Sequence, residues 1–363
     1  MGNIQNIQVD QYRIPLPVVL SDSTHGDMTA FELVTVRVRD TDGAEGVGYT
    51  YTVGRGGSAI RALIADDLGP LMVGRDADLV EENWMQMWWA SHYVGRGGLT
   101  VHAISAIDIA LWDLKAKRAG LPLWRLLGGS DNKVKAYAGG IDLLFPLDQL
   151  LKQTEDNLAR GFRAIKMKVG RDNTAEDIER VAEMRKFLGD DFALMVDANM
   201  RWGVDQAIRA ARKLRDFDLV WLEEPTIPDD FAGHARILRE GGVPLATGEN
   251  LHSLHEFDHL ISAGGVTYPE PDVSNCGGIT VWMKVAALAA ARNLQVTSHG
   301  VHDLHVHLLA AVSNASYLEA HGFGLERFIA DPLIIHEGLA TAPERPGHGV
   351  ELDWKGLGTL HIG

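Results

Sequence analysis

Three short apolar runs that each end on a carboxylate constrain this chain more than any other feature. They are Leu194-Met-Val-Asp197, Leu219-Val-Trp-Leu-Glu223 and Pro244-Leu-Ala-Thr-Gly-Glu249. The acids recur at intervals of 26 residues, with a helix-length segment between one run and the next. A strand of buried type, a helix and another such strand make the rhythm of a parallel sheet. If that sheet closes into a barrel, every acid arrives at the C-terminal rim, where barrel enzymes carry their chemistry. Three carboxylates brought together repel one another, and a hard divalent cation resolves the conflict. Mg²⁺ suits oxygen ligands and keeps coordination places for substrate oxygens.

The 363 residues exceed one average domain and suit a barrel with one appended domain. Eight strand candidates carry the barrel reading, at 133–138, 163–168, 193–197, 218–223, 244–249, 267–271, 294–298 and 316–319. Ahead of them, alternation and an Asp42-Gly43 turn predict strands at 4–15, 31–39 and 46–53. Helices are expected at 57–68, 78–92 and 99–119, the last ended by Gly120. Strands first and helices after make this an α+β domain. The expected division is therefore an N-terminal α+β capping domain (1–127), a TIM-type barrel (128–330) and a C-terminal segment (331–363) that returns to the cap.

A net charge of −15 with no run of basic residues argues against nucleic acid or an anionic membrane as partner. A protein this acidic that acts on an anion must concentrate positive charge locally. The single cysteine, Cys276, excludes an intramolecular disulfide and agrees with a reducing cytoplasm. The longest apolar helical run, around Val285 to Ala291, is too short to span a bilayer, so a soluble, cytoplasmic protein is expected.

Positive charge is supplied at the second barrel strand, which ends in Arg163-Ala-Ile-Lys-Met-Lys168. Lys166 and Lys168 share one face of that strand. Inside a barrel a lysine is expensive unless paired or used. Burial and the neighbouring ammonium are both expected to lower one lysine far enough for it to serve as a base. The strand-end residues Asp272 and His299 fall on adjacent strands, where the carboxylate would fix the imidazole tautomer and raise its pKa. Glu319 ends the eighth strand. His302, His305 and His307 match none of the strong zinc spacings. Asn199, two residues past Asp197, is a candidate for the metal surroundings or a loop cap.

Taken together, the Lys-x-Lys pair, the three spaced carboxylates, the Asp/His pair and the late glutamate resemble the enolase superfamily, mandelate racemase subgroup. The resemblance covers essentially the whole chain, including Asp108-Ile-Ala-Leu-Trp-Asp113 and Glu223-Glu224-Pro225. Asp272 stands where the muconate-lactonizing subgroup carries a lysine. The resemblance implies a modified barrel of (β/α)7β type beneath the cap, and a homo-oligomer. It implies that Asp197, Glu223 and Glu249 bind Mg²⁺. Lys168 and His299, the latter tuned by Asp272, are then acid/base groups on opposite faces of the substrate. Lys166 would neutralise the substrate carboxylate and lower Lys168, and Glu319 would bond the second carboxylate oxygen. The shared chemistry is removal of the proton α to a carboxylate through an enediolate; a lysine or histidine base with Mg²⁺ is the general pattern of this superfamily.

Substrate choice falls to the loop Ser21 to Met28, whose Asp22, Thr24, His25 and Asp27 suit a hydroxyl-rich sugar acid. His25, Asn199, Tyr137, Lys166 and Glu319 are the expected substrate contacts. The segments Tyr137-Ala-Gly-Gly-Ile-Asp142, Glu249-Asn-Leu-His252 and Ser274-Asn-Cys-Gly-Gly278 also resemble cycloisomerases of 3,6-anhydro-galactonate. The first expectation is dehydration of a sugar acid to a 2-keto-3-deoxy acid. Cycloisomerisation of a 3,6-anhydro-galactonate, by ring opening and reclosure, comes second, and racemisation or epimerisation of a 2-hydroxy acid stays open. A barrel that only binds a sugar acid would have to keep buried lysines and converging acids without chemistry.

Overall fold

A computed structural model describes residues 2–321 and 323–363. The chain opens with an antiparallel meander of β1 (Ile4–Asp22), β2 (Gly26–Asp40) and β3 (Glu45–Thr52). The first two strands run further than the sequence suggests. The segment expected as the loop Ser21 to Met28 is a hairpin tip, with Asp22 paired to Gly26 and Leu20 to Met28. Asp22 explains this, since one oxygen of its buried carboxylate accepts the Thr24 and His25 amides and folds the tip back.

The sheet packs on the helix Leu99–Ala119 at a distance only glycine permits. A Cβ at Gly46 would lie 2.0 Å from the Ala110 carbonyl oxygen, and one at Gly48 would lie 2.1 Å from that of Ala106. This helix is apolar on nearly every side because it is covered on every side. Two buried carboxylates on it join distant parts. Asp108 accepts the Thr280 hydroxyl (2.6 Å) and amide (3.0 Å) at the start of the barrel helix Gly278–Ala291. Asp113 accepts the Val47 amide (2.8 Å) and the His348 amide (3.0 Å), tying β3 to the C-terminal segment.

Parallel strands follow: β4 (Lys133–Gly139), β5 (Ala164–Lys168), β6 (Ala193–Asp197), β7 (Leu222–Glu223), β8 (Leu245–Thr247) and β9 (Tyr268–Pro269). Helices alternate with them, and β10 (Leu318–Ala320) pairs back onto β4. The strand expected at 294–298 is reduced to a bridge between Val296 and Ala315. Single hydrogen bonds from Thr297 N to Pro269 O (3.0 Å) and from Ser316 N to Val296 O (2.8 Å) close the circuit there. Pro225, Pro244, Pro269 and Pro271 donate no backbone hydrogen bond, which accounts for ladders shorter than expected at β7, β8 and β9.

The interior is filled beneath the rim by Tyr137, Ala164, Met195, Trp221 and Ala246. That layer keeps the acids at the mouth. After residue 330 a short hairpin, β11 (Ile335–His336) and β12 (Leu339–Thr341), lies antiparallel on the start of β4. The last residues reach β1, with Ile362 N donating to Gln11 O (2.8 Å) and Gln11 N to Gly363 O (2.7 Å). No helix among the described residues is long and apolar enough to cross a membrane.

Candidate active site

Strand register sets the charged residues side by side. Lys168 is level with Asp197, and Asp197 with Glu223. Glu249 joins them from the turn after β8. There Gly248 adopts φ 145°, and a Cβ would stand 3.0 Å from Glu270 backbone. One oxygen from each of Asp197, Glu223 and Glu249 lies within 4.8 Å of the others, and all three residues are buried.

Three cationic side chains surround this triad. Lys166 Nζ meets Glu223 Oε1, stands 2.8 Å from Glu319 Oε1 and 3.7 Å from Asp197 Oδ2. Lys168 Nζ meets Asp197 Oδ2. At the other end of the triad, His299 Nε2 lies 3.3 Å from Glu249 Oε2, while its Nδ1 lies 3.0 Å from Asp272 Oδ2. Tyr51 Oη donates to the same Asp272 oxygen at 2.8 Å. Glu319 Oε2 accepts the Gly300 amide at 2.8 Å.

The electrostatics follow from burial. Burial among other carboxylates pushes Glu223 up to about 8 despite Lys166. It raises Glu249 as well. Desolvation by itself would lower His299, yet Glu249, Asp272 and Glu319 carry it to about 10. Burial likewise pulls Lys168 down, but Asp197, helped by Glu249 and Glu223, overrides it and the net shift is upward. Lys168 is thus raised and not lowered as expected, because Asp197, with Glu249 and Glu223, outweighs desolvation and the Lys166 charge.

Counted as ionised, the five buried carboxylates Asp197, Glu223, Glu249, Asp272 and Glu319 exceed Lys166, Lys168 and a protonated His299 by two charges, and the upward shifts of Glu223 and Glu249 are the mark of that excess. Among the described residues Asn199 Oδ1 is buried without a hydrogen-bond partner, and Glu249 Oε2 has only the His299 ring nitrogen, 3.3 Å away and not in hydrogen-bonding geometry. An all-oxygen donor set with this excess fits a hard divalent cation. Asn199 sits at φ 41° just beyond Asp197 and gives its amide to Asp197 Oδ1 at 2.8 Å.

Tyr137 is not where a substrate contact belongs. Its ring is fully buried in the layer beneath Lys166, with the ammonium 5.3 Å from the ring centre and the hydroxyl 3.4 Å from Glu270. His305 and His307 are spent on backbone: their ring nitrogens bond the Val273 amide and Gly300 oxygen, and the Trp124 amide and His348 oxygen. Residues the sequence reading passed over include Tyr51, Glu224 and Glu270. Alternation along β3 places Tyr51 on one face but gives no sign that it ends on Asp272.

The hairpin tip roofs the site. Ser23 Oγ donates to Ala198 O at 2.8 Å, and Thr24 Oγ1 donates to Asn199 O. His25 Nδ1 lies 2.8 Å from Asp22 Oδ2. The polar character expected of this cap holds for the tip only. Beyond it Met28, Phe31 and Phe323 form an apolar wall, with Phe323 5.9 Å from the His299 ring.

Comparison with known proteins agrees with this geometry. Residues 4–128 match the mandelate racemase / muconate lactonizing enzyme N-terminal domain, and residues 149–356 match the enolase C-terminal domain-like model. A 3,6-anhydro-alpha-L-galactonate cycloisomerase of Streptomyces coelicolor is 58% identical over 360 residues, covering 99% of this chain and 100% of the relative. An L-talarate/galactarate dehydratase of Salmonella typhimurium is 39% identical over 346 residues, covering 93% and 86%. Among solved structures, a racemase from Streptomyces coelicolor with bound magnesium superposes with TM-score 0.97 at 56% identity, covering 99% of this chain and 100% of that one. The Salmonella dehydratase, liganded with Mg and L-lyxarohydroxamate, gives TM-score 0.94 at 36% identity, covering 99% and 93%.

Proposed function

Because this chain belongs to the mandelate racemase / muconate lactonizing enzyme family, we propose that it is a magnesium-dependent cycloisomerase of a 3,6-anhydro-galactonate. The observation that carries this reading is the triad of Asp197, Glu223 and Glu249, flanked by Lys168 at one end and His299 at the other. Identity of 58% across the whole chain supports the choice of substrate.

Asp197, Glu223 and Glu249 hold the cation. When bound, it supplies positive charge to the substrate carboxylate as the enediolate develops. Lys166 and Glu319 bear on the same carboxylate, and Asn199 and His25 reach the remaining substrate oxygens. Whichever of Lys168 and His299 has lost its own proton removes the one from C2, and the other, still protonated, stands ready on the opposite face. Asp272 keeps His299 in one tautomer, with Nε2 turned toward the site. The enediolate then expels the oxygen on C3.

That step unites the competing readings. If the oxygen on C3 is a free hydroxyl, water departs and the reaction is a dehydration. If it is the bridge of a 3,6-anhydro ring, it stays attached at C6. The ring opens, no reclosure is needed, and the 2-keto-3-deoxy acid has the same formula as the substrate. Dehydration of a sugar acid is the second reading, favoured by the polar tip Asp22 to His25 and by the 39% identical dehydratase. Identity over the full length puts cycloisomerisation ahead of it.

The test is incubation with 3,6-anhydro-galactonate and with galactarate, with Mg²⁺ and with chelator. A keto product of unchanged mass from the first substrate, lost on chelation, supports the cycloisomerase. Turnover of galactarate alone supports the dehydratase.

The division at residues 127/128 and 330/331, a homo-oligomeric state and a cytoplasmic location belong to the same reading. Exposed Trp89, Tyr93 and Val94 supply an apolar surface for self-association, and the lone cysteine suits a reducing compartment.

A further inference from the structure

Elimination followed by ketonisation moves four protons: one leaves C2, one goes to the departing oxygen, one goes to C3, and one leaves the enol oxygen. Lys168 and His299 flank the triad at the floor of the site and serve the carbon centres. In the proposed elimination the departing oxygen is one carbon beyond C2, and the hairpin tip is the element that roofs the mouth.

A second aspartate–histidine pair stands there. Asp22 is buried, and its Oδ1 accepts the amides of Thr24 (2.8 Å) and His25 (2.6 Å). Its Oδ2 takes the remaining place, 2.8 Å from His25 Nδ1. The imidazole therefore gives its Nδ1 proton to Asp22, and among the described residues Nε2 makes no hydrogen bond. About a third of the side chain is exposed (36%). Ser23 and Thr24 pin the tip to the carbonyls of Ala198 and Asn199, directly after Asp197. The ring is near enough to the site for the charges of Glu249 and Lys168 to act on it.

We propose that His25, oriented by Asp22, is the proton donor to the oxygen that leaves C3. The assignment rests on the elimination described above. In that step the C2–H bond breaks toward a floor base, and the C3–O bond breaks with its electron pair going to oxygen. His25 Nε2 delivers the proton that makes this oxygen a hydroxyl. The enol then takes a proton at C3 from the second floor group and returns its own O–H proton to His25. Solvent exchange resets the floor pair between turnovers. The hydrogen bond to Asp22 raises the His25 pKa and keeps the acid form available near neutral pH.

The test compares wild type, His25→Asn and Asp22→Asn in deuterated buffer with Mg²⁺, reading α-proton exchange and C3–O cleavage separately by NMR. At saturating substrate, where weaker binding drops out, the expected result for His25→Asn is exchange within about threefold of wild type, with cleavage lowered about 10²–10⁴-fold. Asp22→Asn is expected to show a smaller loss of the same kind. If exchange and cleavage fall together, His25 only shapes the roof, and the assignment is overturned. Undiminished cleavage overturns it as well. Wild type that opens no anhydro ring but dehydrates galactarate removes the cycloisomerase reading alone, and the same comparison is then made on the departing hydroxyl. Wild type that performs no elimination removes both.

Discussion

The Asp272 carboxylate lies 3.0 Å from Nδ1 of His299, leaving the opposite ring nitrogen directed at Glu249. Through this contact a group outside the metal triad sets both the tautomer and the basicity of a proposed acid/base residue. Asp272→Asn keeps the shape but loses the charge. Turnover is expected to fall about 10²–10⁴-fold with KM within a few-fold of wild type. Steady-state kinetics check this, and an unchanged kcat contradicts it.

The triad makes a prediction about metal. In wild type, Mg²⁺ at a hundred times its Kd should stabilise the fold by about 2.7 kcal/mol, read by urea unfolding. Asp197→Asn should fold, show no such increment and lack activity. A full increment in that variant removes Asp197 from the ligand set.

Two buried groups of the site contribute to the alkaline response of the metal-stripped protein. Glu223 is pushed up to about 8 in the fold, above its ordinary 4.5, and His299 is carried to about 10 from 6.5. In each case the folded chain holds its proton more tightly than the unfolded chain. The stability each gives is complete below the unfolded pKa and is lost as pH rises through the folded one. Buried histidines held low, such as His102 and His307, act in the opposite sense only up to about 6.5, so in chelator the thermal midpoint should fall as pH climbs from about 7 to about 10, and His299→Asn should flatten the upper part of that fall. A midpoint rising over this range contradicts the account.

Asp108 joins the cap to the barrel through its two bonds from Thr280. Asp108→Ala leaves a buried amide and hydroxyl without an acceptor and should destabilise the protein by about 1.5–3 kcal/mol. Denaturant titration measures this, and a change below a few tenths of a kcal/mol denies the staple its role.

Much of this site was legible because strand-end residues of a parallel barrel must share one rim. The triad, the Lys166/Lys168 pair and the Asp272/His299 contact all follow from position along apolar runs. Four features did not follow. The seventh strand is a single bridge because closure there rests on isolated hydrogen bonds between loops, which leave no periodicity in the chain. Tyr137 lies two residues before Gly139 and reads as rim, yet its ring fills the layer below Lys166. Lys168 could not be weighed correctly without the register that sets Asp197 level with it. The Asp22–His25 contact was equally hidden, since it depends on a turn made by the aspartate itself.

In the proposed reaction Lys168 and His299 serve the breaking of the bond between C2 and its hydrogen, and the oxygen on C3 then leaves. The most direct measurement follows 3,6-anhydro-galactonate with Mg²⁺ in deuterated water by NMR and mass spectrometry, for wild type, Lys168→Ala and His299→Asn. Wild type should give a 2-keto-3-deoxy acid of the substrate's formula, carrying solvent deuterium at C3. Each variant should stop product formation, and one should still exchange the C2 proton. Full turnover in both variants, or a wild-type reaction that leaves the C2 proton in place, would contradict the account.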